Sequence, residues 1–219
     1  MGSFVAAEGT FPADEAPVIH QTLHIYREGA QPQAALADAA QALAWRRFER
    51  RGEGSLRRAL ENYPAASFQR LYVEQSLEHL QAHHVGWVLG QCLRLLTVEG
   101  VLVVRCPDLK ALCQLVATNR LTEPLYEMAS LPVTALDLLF GHRAQIARGD
   151  AGVLRRSGFT EGLLIATLRH HGFRTVRSVT RPSAPHFDLW ALASKAERCA
   201  EQMAGLIARY LPPCQRHSF

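Results

Sequence analysis

The chain has 219 residues, of which 48% are hydrophobic and 20% charged, and a net charge of +4 from 24 Lys and Arg against 20 Asp and Glu. That is the length of one domain with at most a small extension, and the balance excludes general disorder. The positive excess is scattered. Its one cluster, Arg46, Arg47, Arg50, Arg51, Arg57 and Arg58, is joined to no zinc finger, RNP aromatic pair or GXXG loop, which argues against a nucleic-acid ligand.

Residues 1–17 are rich in Ala, Gly and Pro and read as a flexible leader without a signal-peptide pattern. The apolar run VIHQTLHIY (18–26) reads as a first strand, and the alanine-rich segment 34–51 as a helix broken by Gly52 and Gly54. Segment 67–80, SFQRLYVEQSLEHL, begins as a strand. It passes into a helical pattern carried by Leu77, Leu80, Val85, Val88, Leu89, Cys92, Leu93 and Leu96. GVLVVRCP (100–107) is a short apolar strand suited to the interior of a parallel sheet. It is too short to span a bilayer, so no membrane anchor is expected. Asp108 then opens a helix, DLKALCQLV.

Segment 119–157 is irregular and reads as an insertion capping or walling a pocket. An amphipathic helix follows over 159–173, with Thr160 as N-cap and Gly172 as stop. Segments 173–181 and 187–195 read as two last strands, an antiparallel pair at the sheet edge. A terminal helix over 196–211 and a tail over 212–219 complete the chain. Alternating strands and helices predict an α/β fold: a mostly parallel sheet with helices on both faces, in a single domain over 18–211. The five cysteines, Cys92, Cys106, Cys113, Cys199 and Cys214, form no CxxC pair. Their odd number fits reduced thiols and a cytoplasmic location.

From residue 68 onward the order of motifs resembles the class I S-adenosylmethionine-dependent methyltransferases of the type-11 kind. The pieces are FQRLYVEQSLEHL, LRLLTVEGVLVVRCPDL, LDLLFGHRAQIARGD, SGFTEGLLIATLRHHGF and FDLWALASK. The resemblance implies a Rossmann-like fold, S-adenosylmethionine as cofactor and a small-molecule acceptor. It departs at the loop after the first strand. There the family carries a glycine-rich signature, and LHIYREGAQ (23–31) has one glycine. Two readings stay open. The chain transfers a methyl group to a small, anionic acceptor, or it is a non-methylating descendant without ordinary cofactor binding. Such a descendant would act as a subunit, interaction partner or homodimer, or on another ligand.

The methyltransferase reading places cofactor-binding residues at Glu28 and Gly29 in the first loop, at Glu74 and Gln75 after the 68–73 strand, and at Asp108. Asp108 also reads as a helix cap. Glu78, Arg143 and Arg148 are candidates for holding substrate, the arginines through an anionic group. His142 and His79 are the catalytic candidates, His142 as general base for a hydroxyl acceptor. Residues 23–30, 72–79, 106–108 and 140–143 should border the pocket. His79 and His83 are spaced to share a helix face, but no third ligand is specified and no metal is expected. Cys106 and Cys113 read as packed thiols, and Trp190 as a residue packed against a helix.

Overall fold

The computed structural model describes residues 20–26, 60–128 and 131–213. The leader, the helix expected over 34–51, the arginine cluster, and Glu28 and Gly29 lie outside the described residues. The described elements begin with β1 (His20–Tyr26), β2 (Phe68–Glu74), a 3-10 turn (Leu77–His79), α1 (Ala82–Leu95), β3 (Leu96–Pro107) and α2 (Leu109–Ala117). Next come β4 (Pro124–Met128), β5 (Leu131–Thr134), α3 (Ala135–Phe140), α4 (Arg143–Ala147) and a second 3-10 turn (Ala151–Val153). The chain closes with α5 (Glu161–His170), β6 (Thr175–Arg181), β7 (Asp188–Ser194) and α6 (Ala200–Tyr210).

The main sheet has the order β1-β2-β3-β7-β6, and β4 and β5 form a separate antiparallel pair. This corrects the expected mostly parallel sheet. β1–β2 and β2–β3 are parallel, whereas β3–β7 and β6–β7 are antiparallel. The sheet is therefore mixed. The reason lies in the connection: six residues, 182–187, join β6 to β7, too few for a crossover, so β7 must run back against β6. The antiparallel pair expected at the sheet edge is there. β6 is outermost and β7 is inserted between it and β3, with all seven β7 residues buried.

The two faces of the sheet are covered differently. Alternate residues Leu71, Val73, Leu102, Val104, Leu189 and Ala191 meet α1 and α5 on one face. The apolar stripe of α1, Val85, Val88, Leu89, Cys92 and Leu95, has the spacing of a helix packed on one side. Tyr72, Val103, Trp190 and Leu192 point to the other face, against Met203 and Tyr210 of α6. Each fully buried leucine contributes about 2 kcal/mol by area.

Local chemistry fixes the helix ends. Asp108 caps α2 by accepting from the backbone N–H groups of Lys110 and Ala111. Thr160 caps α5 by accepting from Leu163 N–H. Gly172, at φ +97°, follows the α5 C-cap in a left-handed conformation that side chains rarely adopt. Among the described residues no helix is long and apolar enough to cross a membrane.

Candidate functional site

A cleft of about 120 Å³ opens where β2, β3 and β6 end and β7 begins. Its far wall is the segment from Tyr126 to Arg155, which packs on α2 through Val133, Ala135 and Leu138 against Ala111, Leu112 and Leu115. The carboxyl ends of adjacent parallel strands are where α/β sheets leave room for ligands, because the connections diverge there.

Beneath the cleft runs a row of charge. Register places Glu74 opposite Arg105, Arg105 opposite Trp190, and Arg181 opposite Asp188. Arg105 Nε donates to Asp188 Oδ2 at 3.0 Å, and its Nη1 stands 3.9 Å from Glu74 Oε2. Arg181 grips the same aspartate twice, Nε to Oδ1 at 2.8 Å and Nη2 to Oδ2 at 2.6 Å. Both guanidinium groups lie over the Trp190 ring, 5.2 and 5.7 Å from its centroid. Two carboxylates and two guanidiniums thus neutralise one another in a buried layer, the condition on which ions persist away from water.

The turn after β2 is clamped to the far wall. Gln75, at φ +44°, donates its N–H to Arg105 O at 2.8 Å. The N–H groups of Arg156 and Ser157 donate to Glu78 O at 2.7 and 3.1 Å, and Ser157 Oγ donates to Leu77 O at 2.8 Å. His79 Nδ1 lies 2.7 Å from Leu154 O. A carbonyl can only accept, so Nδ1 carries the hydrogen. His79 Nε2 then stands 3.9 Å from Glu78 Oε1.

Glu78 and His142 line the cleft with every polar side-chain atom unsatisfied. Glu78 is 1% exposed, and neither of its carboxylate oxygens has a hydrogen bond among the described residues. His142 is 8% exposed, and neither of its ring nitrogens has one. His142 occupies the cap position before α4, immediately after Gly141. Gly141 has φ +110°, and a Cβ there would collide with the Val153 carbonyl oxygen. Only glycine lets the chain turn tightly enough at this point to bring His142 to the cleft.

The other titratable groups are held by identifiable neighbours. Burial raises the Asp137 carboxyl, but hydrogen bonds from Arg143 and Thr134 outweigh it and hold the group well below the usual carboxylate range. The contacts are Arg143 Nε to Oδ1 at 2.9 Å and Thr134 Oγ1 to Oδ2 at 2.7 Å. Burial, then the Glu78 and Asp108 charges, push the Cys106 thiol well up, which makes it a packing group. Burial and Arg181 lower His186, and burial raises Asp108 and Tyr126. Among the described residues no three or more His, Cys, Asp or Glu are grouped to hold a metal ion.

Of the residues singled out from the sequence, the cleft brings together Gln75, Glu78, His79 and His142. Glu74 lies in the charge row beneath, and the Asp108 carboxylate accepts from the first turn of α2. Arg143 turns outward to Asp137, and Arg148 is exposed just past α4. Sequence reasoning did not single out Arg105, Asp137, His186 or Asp188, which also line the cleft. One signal was available: Arg105 is a lone charge inside an apolar strand, which a buried position tolerates only with a partner. Arg155 also lines the cleft. Its Nη1 donates to Leu138 O.

No protein-family model matches the chain, and no curated protein does. It is similar to solved S-adenosylmethionine-dependent methyltransferases. One from Archaeoglobus fulgidus has a TM-score of 0.49 at 11% identity, covering 81% of this chain and 86% of that one. One from Thermotoga maritima, described as a possible histamine N-methyltransferase, has a TM-score of 0.43 at 12% identity, covering 80% and 82%. The 1,6-didemethyltoxoflavin-N1-methyltransferase of Burkholderia thailandensis, with bound 1,6-didemethyltoxoflavin and S-adenosylhomocysteine, has 0.44 at 16%, covering 82% and 72%. At TM-scores and identities this low, the likeness assigns no residue of this chain a role.

Proposed function

We propose that this chain transfers a methyl group from S-adenosylmethionine to a small acceptor in the cleft at the ends of β2 and β3. The observation that carries the reading is the pair of buried, unsatisfied side chains, Glu78 and His142, facing one cleft. Keeping such groups without partners costs stability, about 1–3 kcal/mol each. A site that needs them is the physical reason to retain them.

The donor set fits the cofactor. A sulfonium is a cation without hydrogens to donate, and the Glu78 carboxylate supplies compensating charge in the same cleft. Gln75 and the backbone at the β2 and β3 ends would hold the cofactor. The sequence resemblance adds Glu28 and Gly29, outside the described residues. When bound, the cofactor supplies an electrophilic methyl group. The chain's own part is positioning and proton handling. His142 accepts the acceptor's proton at whichever ring nitrogen lacks hydrogen. Glu78 orients the acceptor through its oxygens. His79, with Nδ1 fixed by Leu154 O, keeps its Nε2 toward Glu78. The far wall excludes water.

Titration calorimetry of the full chain with S-adenosylmethionine tests the reading. Saturable binding is expected. No heat and no rise in melting temperature at millimolar cofactor overturns it. Labelled-methyl transfer to a panel of amines and phenols then tests His142. His142→Gln should lower turnover about 100-fold and leave cofactor affinity unchanged.

A further inference from the structure

Which acceptor the cleft takes can be argued from its unmet hydrogen bonds. Three of the carboxylates in or under the cleft face an arginine: Glu74 faces Arg105, Asp137 faces Arg143, and Asp188 faces Arg105 and Arg181. Glu78 does not. His79 Nε2 stands 3.9 Å from its Oε1, beyond hydrogen-bonding distance, and its other titratable neighbour is the buried Cys106 thiol. Elsewhere on the wall, Arg155 Nη1 donates to the Leu138 carbonyl, and burial and then Arg181 lower the His186 pKa.

The deficit can be counted. Ionised Glu78 offers two acceptor oxygens and no donor, and neutral His142 offers one acceptor and one donor. A ligand that satisfies them must bring more N–H or O–H groups than acceptors. An anion brings the reverse. A sulfonium brings none, so it answers the Glu78 charge but not its hydrogen-bond deficit. Val133, Leu138, Val153 and Phe187 give the cleft an apolar stretch of wall, beside polar lining from Gln75, Gln145 and Asp137. Arg143 and Arg148, the arginines that suggested an anionic acceptor, lie outside the cleft.

We infer that the acceptor is a small organic amine or N–H heterocycle, bound with its nitrogen between Glu78 and His142 and its carbon body on the apolar wall. The inference rests on the proposed methyltransferase reading for the word acceptor, and on the cleft alone for the ligand class.

The test uses the full chain and three probes of nearly one shape: benzylamine, benzyl alcohol and benzoate. Affinities are read by ligand-observed NMR and calorimetry, with and without saturating S-adenosylmethionine. The expected order is benzylamine first and benzoate last. Glu78→Gln should weaken benzylamine about tenfold or more and leave benzoate unchanged or improved. Benzylamine should still bind with the cofactor present. Equal or tighter benzoate binding overturns the inference, as does binding of none of the three. So does a folded Glu78→Gln variant with unchanged benzylamine affinity. Displacement of benzylamine by S-adenosylmethionine overturns it too, since Glu78 then serves the cofactor's own ammonium. Should Glu78→Gln fail to fold, the ranking of probes on the unmodified chain decides. Benzylamine binding without cofactor binding overturns methyl transfer and leaves the ligand class standing.

Discussion

The charge row under the cleft and the rim above it treat the same chemistry in opposite ways. In the row, Asp188 accepts from both Arg105 and Arg181, and Arg105 also stands 3.9 Å from Glu74. At the rim, Glu78 and His142 are as well removed from water yet hold no hydrogen bond among the described residues. A buried ion held by several hydrogen bonds serves the fold, and one that holds none calls for another explanation. The contrast follows from geometry. The row sits on strands whose register fixes each partner, whereas the rim sits on turns that are clamped through their backbones, leaving the side chains uncommitted.

Removing charge from the row should do the most damage. Asp188→Asn leaves Arg105 and Arg181 beside a neutral amide in a layer with little access to water. A loss of about 3 kcal/mol or more in urea unfolding is expected. A change under 1 kcal/mol would show that the row is solvated and the comparison misdrawn.

A backbone change at the rim comes next. Gly141→Ala must hold alanine at φ +110° and push its Cβ away from the Val153 oxygen. A loss of about 2 kcal/mol is expected, with protease sensitivity rising in the 124–157 wall. Wild-type stability would mean that the turn before His142 relaxes freely.

The same carboxylate-to-amide change at the rim should have the opposite sign. Glu78→Gln removes a buried charge that no hydrogen bond compensates, so stability should rise by about 1 kcal/mol while benzylamine binding weakens. A destabilisation as large as that of Asp188→Asn would place Glu78 in the fold instead of the site.

Much of the scaffold was legible because its signals are local. The 85, 88, 89, 92 spacing gave α1, the apolar run gave the core of β3, and Thr160 and Gly172 marked α5 to within a residue. Sheet order was not legible, since the place of β7 between β3 and β6 depends on pairings across the whole chain. The partnership of Arg105 with Asp188 spans 83 positions and leaves no spacing to read. His142 was legible as a candidate because an irregular segment beside strand ends is where a wall would be. The outward turn of Arg143 had a missed local sign. Thr134 and Asp137 stand three apart, the spacing of a capping box, and the structure completes that box. An aspartate so placed is already an acceptor cluster, and the nearest arginine goes to it.

The smallest expected effect tests that last point through pH. The Asp137 carboxyl is held below its ordinary value of 3.8 by Arg143 and Thr134 despite its burial. A depressed carboxyl contributes stability above its unfolded-state pKa, and that contribution is lost as pH falls through the folded value. Between pH 7 and about pH 4.5 Asp137 should therefore leave stability flat. Below pH 4 it should steepen the decline. Asp137→Asn should flatten that acid limb and leave the slope at neutral pH unchanged. Arg143→Gln should flatten it partly, because Thr134 still donates through Oγ1 and its backbone N–H. Arg143 is largely exposed, so added salt should weaken its share and leave Thr134's untouched. If Asp137→Asn left the acid limb as steep as before, the low-pH loss would belong to other carboxylates. The charge row, where Asp188 accepts from two arginines, would be the next place to look.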